Sequence, residues 1–251
     1  MSGLATASIV IIFTISFLLI CYFSFVRGVV VPAKKKLADG TIEYRVYNDL
    51  HQDKDLPAVI KPNGTVKYYR YNRLGRGNRG ENPAVIFPNG DCVHYWFDHI
   101  HNESGPAVNF GNVTLYCEID LLHRVDGPAY ISPELEAHYR YGYLDNNDGP
   151  AVVHASGKIE HFTLGLRHND QGPAVSGPGI EDEFYIFGRK IDKEHFENYY
   201  LKATDSVSIN EQIAAINHLS EKVVSNPELA FYLPNYHAIE LLEKVNSLCR
   251  A

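Results

Sequence analysis

The chain has 251 residues, of which 45% are hydrophobic and 12% aromatic, and this composition is sufficient for a globular core. Its formal net charge is −7, and because four basic residues lie before position 37, residues 37–251 carry 19 basic and 30 acidic side chains, a charge of −11. We therefore expect no nucleic-acid partner, since such binding depends mainly on neutralising phosphates.

The first predicted element is an N-terminal membrane anchor. No charged side chain precedes Arg27, and residues 8–26 are almost wholly apolar. As a helix this stretch would be about 28 Å long, close to the ~30 Å hydrocarbon core of a bilayer. A cleaved signal peptide is the alternative, but its apolar stretch is usually about 7–15 residues long and follows a basic start. We predict a single-pass transmembrane helix at about 8–26, within an anchor and basic juxtamembrane segment at 1–36.

The flanking charges predict the orientation of this anchor. Basic residues follow the apolar stretch and none precedes it, the followers being Arg27, Lys34, Lys35 and Lys36. Positive residues stay on the cytoplasmic side, so the larger C-terminal part should be cytosolic, or interior to the membrane of a virion. In the opposite orientation three sequons would accept glycans, at Asn63, Asn102 and Asn112.

An internal repeat follows. A Pro-Ala pair recurs in steps of 26, 23, 22, 22 and 23 residues, at Pro57, Pro83, Pro106, Pro128, Pro150 and Pro173. A period in the twenties indicates units too small to bury a core alone, which stack on their neighbours in an array.

The repeat also predicts one hairpin in each unit. Apolar residues recur in two columns two positions apart: Tyr95, Cys117, Tyr139, Phe162 and Tyr185, then Phe97, Ile119, Tyr141, Leu164 and Phe187. Positions two apart on a strand share a face, so these columns predict one continuous core stripe. The next position holds residues that tolerate a tight turn, namely Asp98, Asp120, Gly142, Gly165 and Gly188. A second short strand is then expected to run through the Pro-Ala pair.

The loop before the prolines carries a motif. Residues 123–129 read His-Arg-Val-Asp-Gly-Pro-Ala, and residues 168–174 read His-Asn-Asp-Gln-Gly-Pro-Ala. These residues resemble the MORN repeat family, most closely a variant with a His-Arg-x-Asp-Gly-Pro-Ala core that is abundant in large double-stranded DNA viruses and in some bacteria. The resemblance covers Leu37 to Tyr200, although Leu56 and Asn82 replace the glycine before the proline. It implies an elongated antiparallel array of β-hairpins with a binding or tethering role.

Histidine is the residue type that invites a chemical interpretation. Three histidines share one repeat position, at His101, His123 and His168. Successive copies would lie about 9–10 Å apart, two strand spacings, whereas zinc ligands lie about 2.0–2.1 Å from the metal. We therefore interpret the column as structural, with each ring bonding a turn carbonyl. The sequence predicts no catalytic, cofactor-binding or metal-ligating residue and no cofactor.

The four cysteines are too few and too scattered for a disulfide framework. Cys117 occupies a position of the core stripe that is otherwise aromatic, which favours a buried thiol over a bridge to Cys92.

Helical spacing replaces the strand pattern after Gly188. Asp192 is predicted to cap a short helix that carries Phe196. A capping box at 208–211 opens an amphipathic helix, with apolar residues at Ile209, Ile213, Ile216, Leu219 and Val223, and a last helix begins near Asn235. We predict that residues 192–251 form a helical cap on the end of the sheet, while a free partner-binding helical hairpin is the alternative.

The predicted protein is mainly β, with an anchor at 1–36, MORN-like hairpin repeats at 37–191 and a small α-helical cap at 192–251. Its expected function is that of a membrane-anchored, non-enzymatic scaffold for protein contacts. In a virus it would be a structural protein that links the internal membrane to the capsid or another membrane-proximal assembly. Expected partners are the lipid bilayer and other proteins, capsid proteins among them, and no small-molecule substrate.

Two alternatives to this scaffold remain. A phosphoinositide tether needs a basic face, and the charge of −11 argues against it. An enzyme with an unrecognised site in the C-terminal helices would have only His195, His218, His237 and scattered acids available.

Overall fold

The computed structural model describes residues 31–53, 55–199 and 235–250. Over these residues the chain is mainly β, with a long antiparallel sheet, a row of short hairpins packed against it and two α-helices. The predicted transmembrane helix at 8–26 and the amphipathic helix predicted to open at 208–211 lie outside the described residues. Neither helix of the described part combines the length and the apolar character that crossing a bilayer requires.

The long sheet has fourteen strands. Thirteen of them follow one another as hydrogen-bonded antiparallel neighbours: β1 (Ala33–Lys36), β2 (Ile42–Val46), β4 (Val59–Ile60), β5 (Val66–Lys67), β8 (Val85–Ile86), β9 (Cys92–Val93), β12 (Val108–Phe110), β13 (Val113–Leu115), β16 (Tyr130–Ile131), β17 (Leu135–Ala137), β20 (Val152–His154), β21 (Ile159–Glu160) and β24 (Val175–Ser176). The remaining strand, β3 (Asp49–Leu50), pairs with β2. Each repeat thus adds two strands to one continuous sheet.

The short hairpins form a second layer. They are β6 (Tyr69–Arg70) with β7 (Arg73–Leu74), β10 (Tyr95–Trp96) with β11 (His99–Ile100), β14 (Cys117–Glu118) with β15 (Leu121–Leu122), β18 (Tyr139–Arg140) with β19 (Tyr143–Leu144), β22 (Phe162–Thr163) with β23 (Leu166–Arg167), and β25 (Phe184–Ile186) with β26 (Arg189–Ile191). A 3₁₀ turn at Asn78–Gly80 takes up the longer second repeat. Most units therefore contain two hairpins, and the prediction of one was wrong. The chain returns from the tight turn as a separate short strand before it reaches the Pro-Ala pair.

The core lies between the long sheet and the hairpins. Both layers contribute to it, for example Val93 and Leu115 from the sheet and Ile100 and Leu144 from the hairpins. The alanine of every Pro-Ala pair is fully buried, at Ala58, Ala84, Ala107, Ala129, Ala151 and Ala174. A larger side chain there would overpack a closed interior, which explains why the repeat keeps alanine.

Of the two columns predicted for the core stripe, only the first is mostly buried. Tyr95, Cys117, Tyr139 and Phe162 of the first column are buried, and Cys117 is a free thiol. Tyr185 is only half-buried, because in the last hairpin its neighbours Phe184 and Ile186 face the core. The second column was wrongly assigned to the core: its members are the first turn residues of the hairpins, and four of them are exposed. Residues two apart share a face only while the strand continues, and here each first strand ends before that position.

Adjacent hairpins are joined by backbone hydrogen bonds. The amide of each second turn residue donates to a carbonyl of the preceding hairpin, as from Asp98 to Leu74 at 2.9 Å and from Gly165 to Leu144 at 2.8 Å. The same bond recurs at Asp120 and Gly142. Each repeat is thus held by its nearest neighbours, as in other repeat arrays.

The first helix covers the end of the hairpin row. Helix α1 (Lys193–Tyr199) begins where the Asp192 carboxylate accepts the backbone N–H of His195 at 2.7 Å, the predicted cap. Phe196 is buried against Phe184, with ring centroids 4.9 Å apart.

The second helix lies elsewhere than expected. Helix α2 (Asn235–Arg250) packs near the middle of the array, and its Val245 and Cys249 are fully buried in the main core. The Tyr95 hydroxyl donates to Asn246 Oδ1 at 2.9 Å, and the Arg250 guanidinium donates to the Asp98 carbonyl at 3.2 Å. This helix therefore covers the hairpin layer near β10 and β11 rather than the end of the sheet.

The run of lysines at 34–36 lies in the first strand of the sheet. Lys34, Lys35 and Lys36 were assigned from sequence to a juxtamembrane segment, but they form β1, which among the described strands pairs with β2 alone. All three side chains are exposed. Lysines on an edge strand discourage pairing with strands of other chains.

Candidate partner-binding surface

The tips of the short hairpins form the most distinctive surface of the described chain. Both central residues of most of these turns have positive φ, for example 48° at Ile119 and 63° at Asp120. A bulky residue with positive φ is strained by about 1–3 kcal/mol. Large side chains nevertheless stand at the first turn position in every repeat, at Tyr47, Tyr71, Phe97, Ile119, Tyr141, Leu164 and Phe187.

Histidines support several of these tips from below. The ring of His123 stacks on Tyr141 at 4.0 Å and 13°, and that of His168 stacks on Phe187 at 4.0 Å and 12°. In both pairs the histidine Nδ1 accepts the backbone N–H of the aromatic turn residue, at 3.3 Å and 3.4 Å. His51 makes the same stack and bond with Tyr71.

The histidine column therefore bonds turn amides and not the turn carbonyls suggested from sequence. Asp145 takes the histidine position in one repeat, and its carboxylate accepts the Leu164 N–H at 3.0 Å. Burial lowers the pKa of His101 and of His168, which favours the neutral ring, whose Nδ1 can accept a hydrogen bond from a backbone amide. Within the described ranges no group of three His, Cys, Asp or Glu residues is placed to hold a metal ion.

The row of tips has a polar half and an apolar half, which differ in the residue after the turn. This residue is Asp49, Arg73 and His99 in the first three tips, and Leu121, Tyr143 and Leu166 in the next three. In the first repeats the second turn residue is Asn or Asp, and its side chain bonds back to the preceding hairpin, as Asp98 Oδ1 does with the Leu74 N–H at 2.8 Å. From the fourth hairpin onward glycine takes this position, at Gly142, Gly165 and Gly188. The side chain of the previous hairpin lies over each glycine: a Cβ at Gly142 would stand 3.4 Å from Leu121, and one at Gly165 would stand 3.3 Å from Tyr143.

We call the apolar half the apolar ridge, defined as Ile119, Leu121, Tyr141, Tyr143, Leu164 and Leu166. Five of these side chains are between 46% and 69% exposed. At about 200 Å² for a free large side chain, they present roughly 500 Å² of apolar surface to water. Contiguous patches of that size on a monomer are often functional. The ridge follows the array across three successive hairpins.

A groove between two proline loops is the next candidate. It has a volume of about 560 Å³ and is lined by the loops at 101–106 and 123–126. Its polar side chains pair with each other, Arg124 with Asp126 at 2.9 Å and the His123 ring with Glu118 at 3.7 Å. Arg124 also lies over the Tyr116 ring at 3.9 Å. The groove is thus polar and internally satisfied.

Two buried ionisable groups lie at the contact between helix α2 and the rest of the core, Lys67 on strand β5 and Cys249 on the helix itself. Burial lowers the pKa of Lys67 to about 8, and burial raises the pKa of the Cys249 thiol to about 11. Both shifts favour the neutral forms, as expected for a closed interior. Neither group is accessible to a ligand.

A charge cluster occupies the core of the last full repeat. Glu160 occupies the repeat position at which Val93, Leu115 and Ala137 stand in earlier strands. Its carboxylate accepts from His154 Nε2 at 2.9 Å, from Lys158 Nζ at 2.8 Å and from Arg167 at 2.8 Å. These contacts lower the pKa of Glu160 although burial opposes them. The cluster is structural, because its one carboxylate is fully engaged.

Of the three histidines named for an enzyme, His195 is the one whose side chain lies in the described part of the chain. His195 lies exposed on helix α1, where its backbone bonds to Asp192. His218 lies outside the described residues, and of His237 only the helical backbone is described. The scaffold and enzyme alternatives therefore stay predictions.

Known proteins give no family for this chain. No protein-family model matches the sequence, and no curated protein sequence matches it.

Proposed function

We propose that this chain is a non-enzymatic repeat scaffold that binds a protein partner along the apolar ridge. The single observation that carries the proposal is that three successive hairpins have exposed apolar residues both at the strained first turn position and after the turn, whereas the earlier hairpins have Asp49, Arg73 and His99 after the turn. These side chains add nothing to the core, and their backbone strain is a cost that folding alone does not require. Selection for a partner explains both features.

The setting of the scaffold is also a proposal. The sequence at 8–26 would hold the array at a membrane, and the resemblance of residues 123–129 to the variant MORN motif favours a large DNA virus. A link between an internal viral membrane and the capsid, or another membrane-proximal assembly, fits both features. The exposed lysines of β1 lie close in sequence to the anchor and suit the cytosolic side.

The partner can be sought by crosslinking in the native membrane or particle, followed by mass spectrometry. A Tyr141→Ser/Leu164→Ser variant should lose a specific partner at least tenfold relative to the unchanged chain. Tyr47→Ser is the matched control, because Tyr47 is an exposed tip residue of the polar half. A partner retained equally by all three chains would show that the ridge does not bind it.

A further inference from the structure

The long sheet has an open edge at each end. At one end, strand β1 has a single hydrogen-bonded neighbour among the described strands, β2. At the other end the chain runs back along β24, where Glu183 and Val175 exchange two backbone hydrogen bonds, at 2.9 Å and 3.1 Å. Among the described strands none pairs with the outer side of residues 181–183. Each end therefore presents backbone donors and acceptors to a further strand.

The open side of β1 is the side on which each later repeat bonds to the repeat before it. The Leu37 N–H bonds across the turn after β1 as the Lys61 N–H does across the turn after β4, at 2.8 Å and 2.9 Å. This match places Lys34 at the position of Ala58, whose carbonyl accepts the Tyr44 N–H of the preceding repeat at 2.8 Å. Strand β1 thus has the form of a strand that receives a preceding repeat.

The outer side of residues 181–183 is the side on which a following repeat would bond. Glu183 pairs with β24 as Glu160 pairs with β20 in the repeat before. On its other side Glu160 pairs with Val175, the first strand residue of the next repeat. Lys35 is the residue of β1 at this same repeat position. If β1 of a second copy continued the array, the repeat register would therefore place Glu183 opposite Lys35.

The two edges carry opposite charges. The lysines at 34–36 are all exposed, and of the acidic residues at 181–183 the first two are exposed and the third is half-buried. The same register would place Asp182 opposite Lys36. Opposite charges directly across an antiparallel pair stabilise it, and like charges oppose it. The lysines thus discourage the pairing of two β1 edges and favour the acidic edge.

We propose that copies of this chain associate head to tail, with residues 181–183 of one copy pairing with β1 of the next. The long sheet then continues from one copy into another. Because the two edges are different surfaces, the contact is heterologous and leaves an open edge at each end, so that it builds a row of copies. The apolar ridge belongs to the hairpin layer, so this association does not depend on the function proposed for it.

Disulfide crosslinking of the full chain in detergent tests the association. Val175 directs its backbone bonds to Glu183, so the Glu160–Val175 pair is of the non-hydrogen-bonded type, and the equivalent pair between copies would be Glu183 with Lys35. Cα atoms in such a pair are about 4.5 Å apart, within the ~4.4–6.8 Å that a disulfide spans. A Lys35→Cys/Glu183→Cys variant should form a ladder of dimers, trimers and larger covalent multimers on mild oxidation. Within one chain the two positions are about 60 Å apart, too far for a bridge.

Three control variants show whether the two edges meet each other. Lys35→Cys alone and Glu183→Cys alone should give no more dimer than the unchanged chain. Lys35→Cys/Asp148→Cys, whose second cysteine replaces an exposed carboxylate in the middle of the array, should give no ladder. Extra dimer from either single variant would show that like edges pair, and the absence of a ladder from Lys35→Cys/Glu183→Cys would overturn the proposal.

A charge exchange separates a specific contact from chance collision. Adding Lys36→Glu to the Lys35→Cys/Glu183→Cys variant should lower the multimer yield at least fivefold, and adding Asp182→Lys as well should restore it to within twofold. An unchanged yield with Lys36→Glu, or no recovery after the exchange, would contradict the proposed register. Adding Tyr141→Ser/Leu164→Ser instead should leave the ladder intact, whereas its loss would place the contact on the apolar ridge.

Discussion

The charge cluster at Glu160 allows a stability prediction with a defined magnitude. Glu160 is 5% exposed, while the side chains of its partners His154, Lys158 and Arg167 are 27%, 33% and 30% exposed. Removing one member of a fully buried ion pair costs about 3–5 kcal/mol, because the remaining charge is left unpaired. Since these partners are partly hydrated, we expect Glu160→Ala to lower the free energy of unfolding by about 2–3 kcal/mol.

The repeat itself supplies the control for this experiment. Arg167 pairs with Phe162 across its hairpin. At the same position the two preceding hairpins have Leu144 and Leu122. A Glu160→Leu/Arg167→Leu variant restores apolar residues at both positions and should be within about 1 kcal/mol of the unchanged chain, or more stable. Urea unfolding followed by circular dichroism measures both variants. The reasoning fails if Glu160→Ala costs less than about 0.5 kcal/mol, or if the double variant is as unstable as the single one.

Four further outcomes are expected. Tyr139→Ala should cost about 3–5 kcal/mol as a buried aromatic truncation, whereas His123→Ala should cost about 1 kcal/mol, one net hydrogen bond; equal losses in urea unfolding would contradict this. The free energy of unfolding should fall as the pH drops below 6.5, because burial lowers the pKa of five histidines in the folded chain and the unfolded chain therefore binds protons first. These histidines are His94, His101, His138, His161 and His168. A free energy of unfolding that stays constant between pH 7 and 5 would contradict this. Deleting residues 235–251 should expose Tyr95, whose hydroxyl bonds to helix α2, and raise the fluorescence of a bound hydrophobic dye; unchanged fluorescence would show that the helix does not cover this part of the core. In a eukaryotic cell no glycan should be added at Asn63, Asn102 or Asn112, and a mobility shift on deglycosylation would reverse the proposed orientation.

The repeat period was sufficient to predict the architecture at the level of a hairpin array. The turn column from Asp98 to Gly188 was correctly placed, because positive φ restricts the residue types that a turn accepts. Cys117 was correctly predicted as a buried thiol, because it replaced an aromatic residue in an otherwise regular column. Such positions are determined locally and recur in every unit.

The predictions that failed concern contacts between layers. Phe97 and Tyr141 have the composition of core residues, and only the early end of the strand puts them on the surface. The position at which helix α2 packs depends on Tyr95 and on the sequence of one particular repeat, so the average repeat pattern could not indicate it. The sequence signal of the apolar ridge is the change, in the residue after the turn, from Asp49, Arg73 and His99 to Leu121, Tyr143 and Leu166, and its meaning depends on where the turns point.

The return of helix α2 to the middle of the array has a mechanical consequence. A pulling force applied between β1 and Arg250 would enter at one edge of the sheet and leave near Asp98. The load would then pass through the first three repeats, while the hairpins of the ridge would lie outside its path. Because the strands run across the array, such a force would open their hydrogen bonds one pair at a time. As long as helix α2 stays docked at Tyr95 and Asp98, the molecule would thus act as a short tether whose later repeats carry no load.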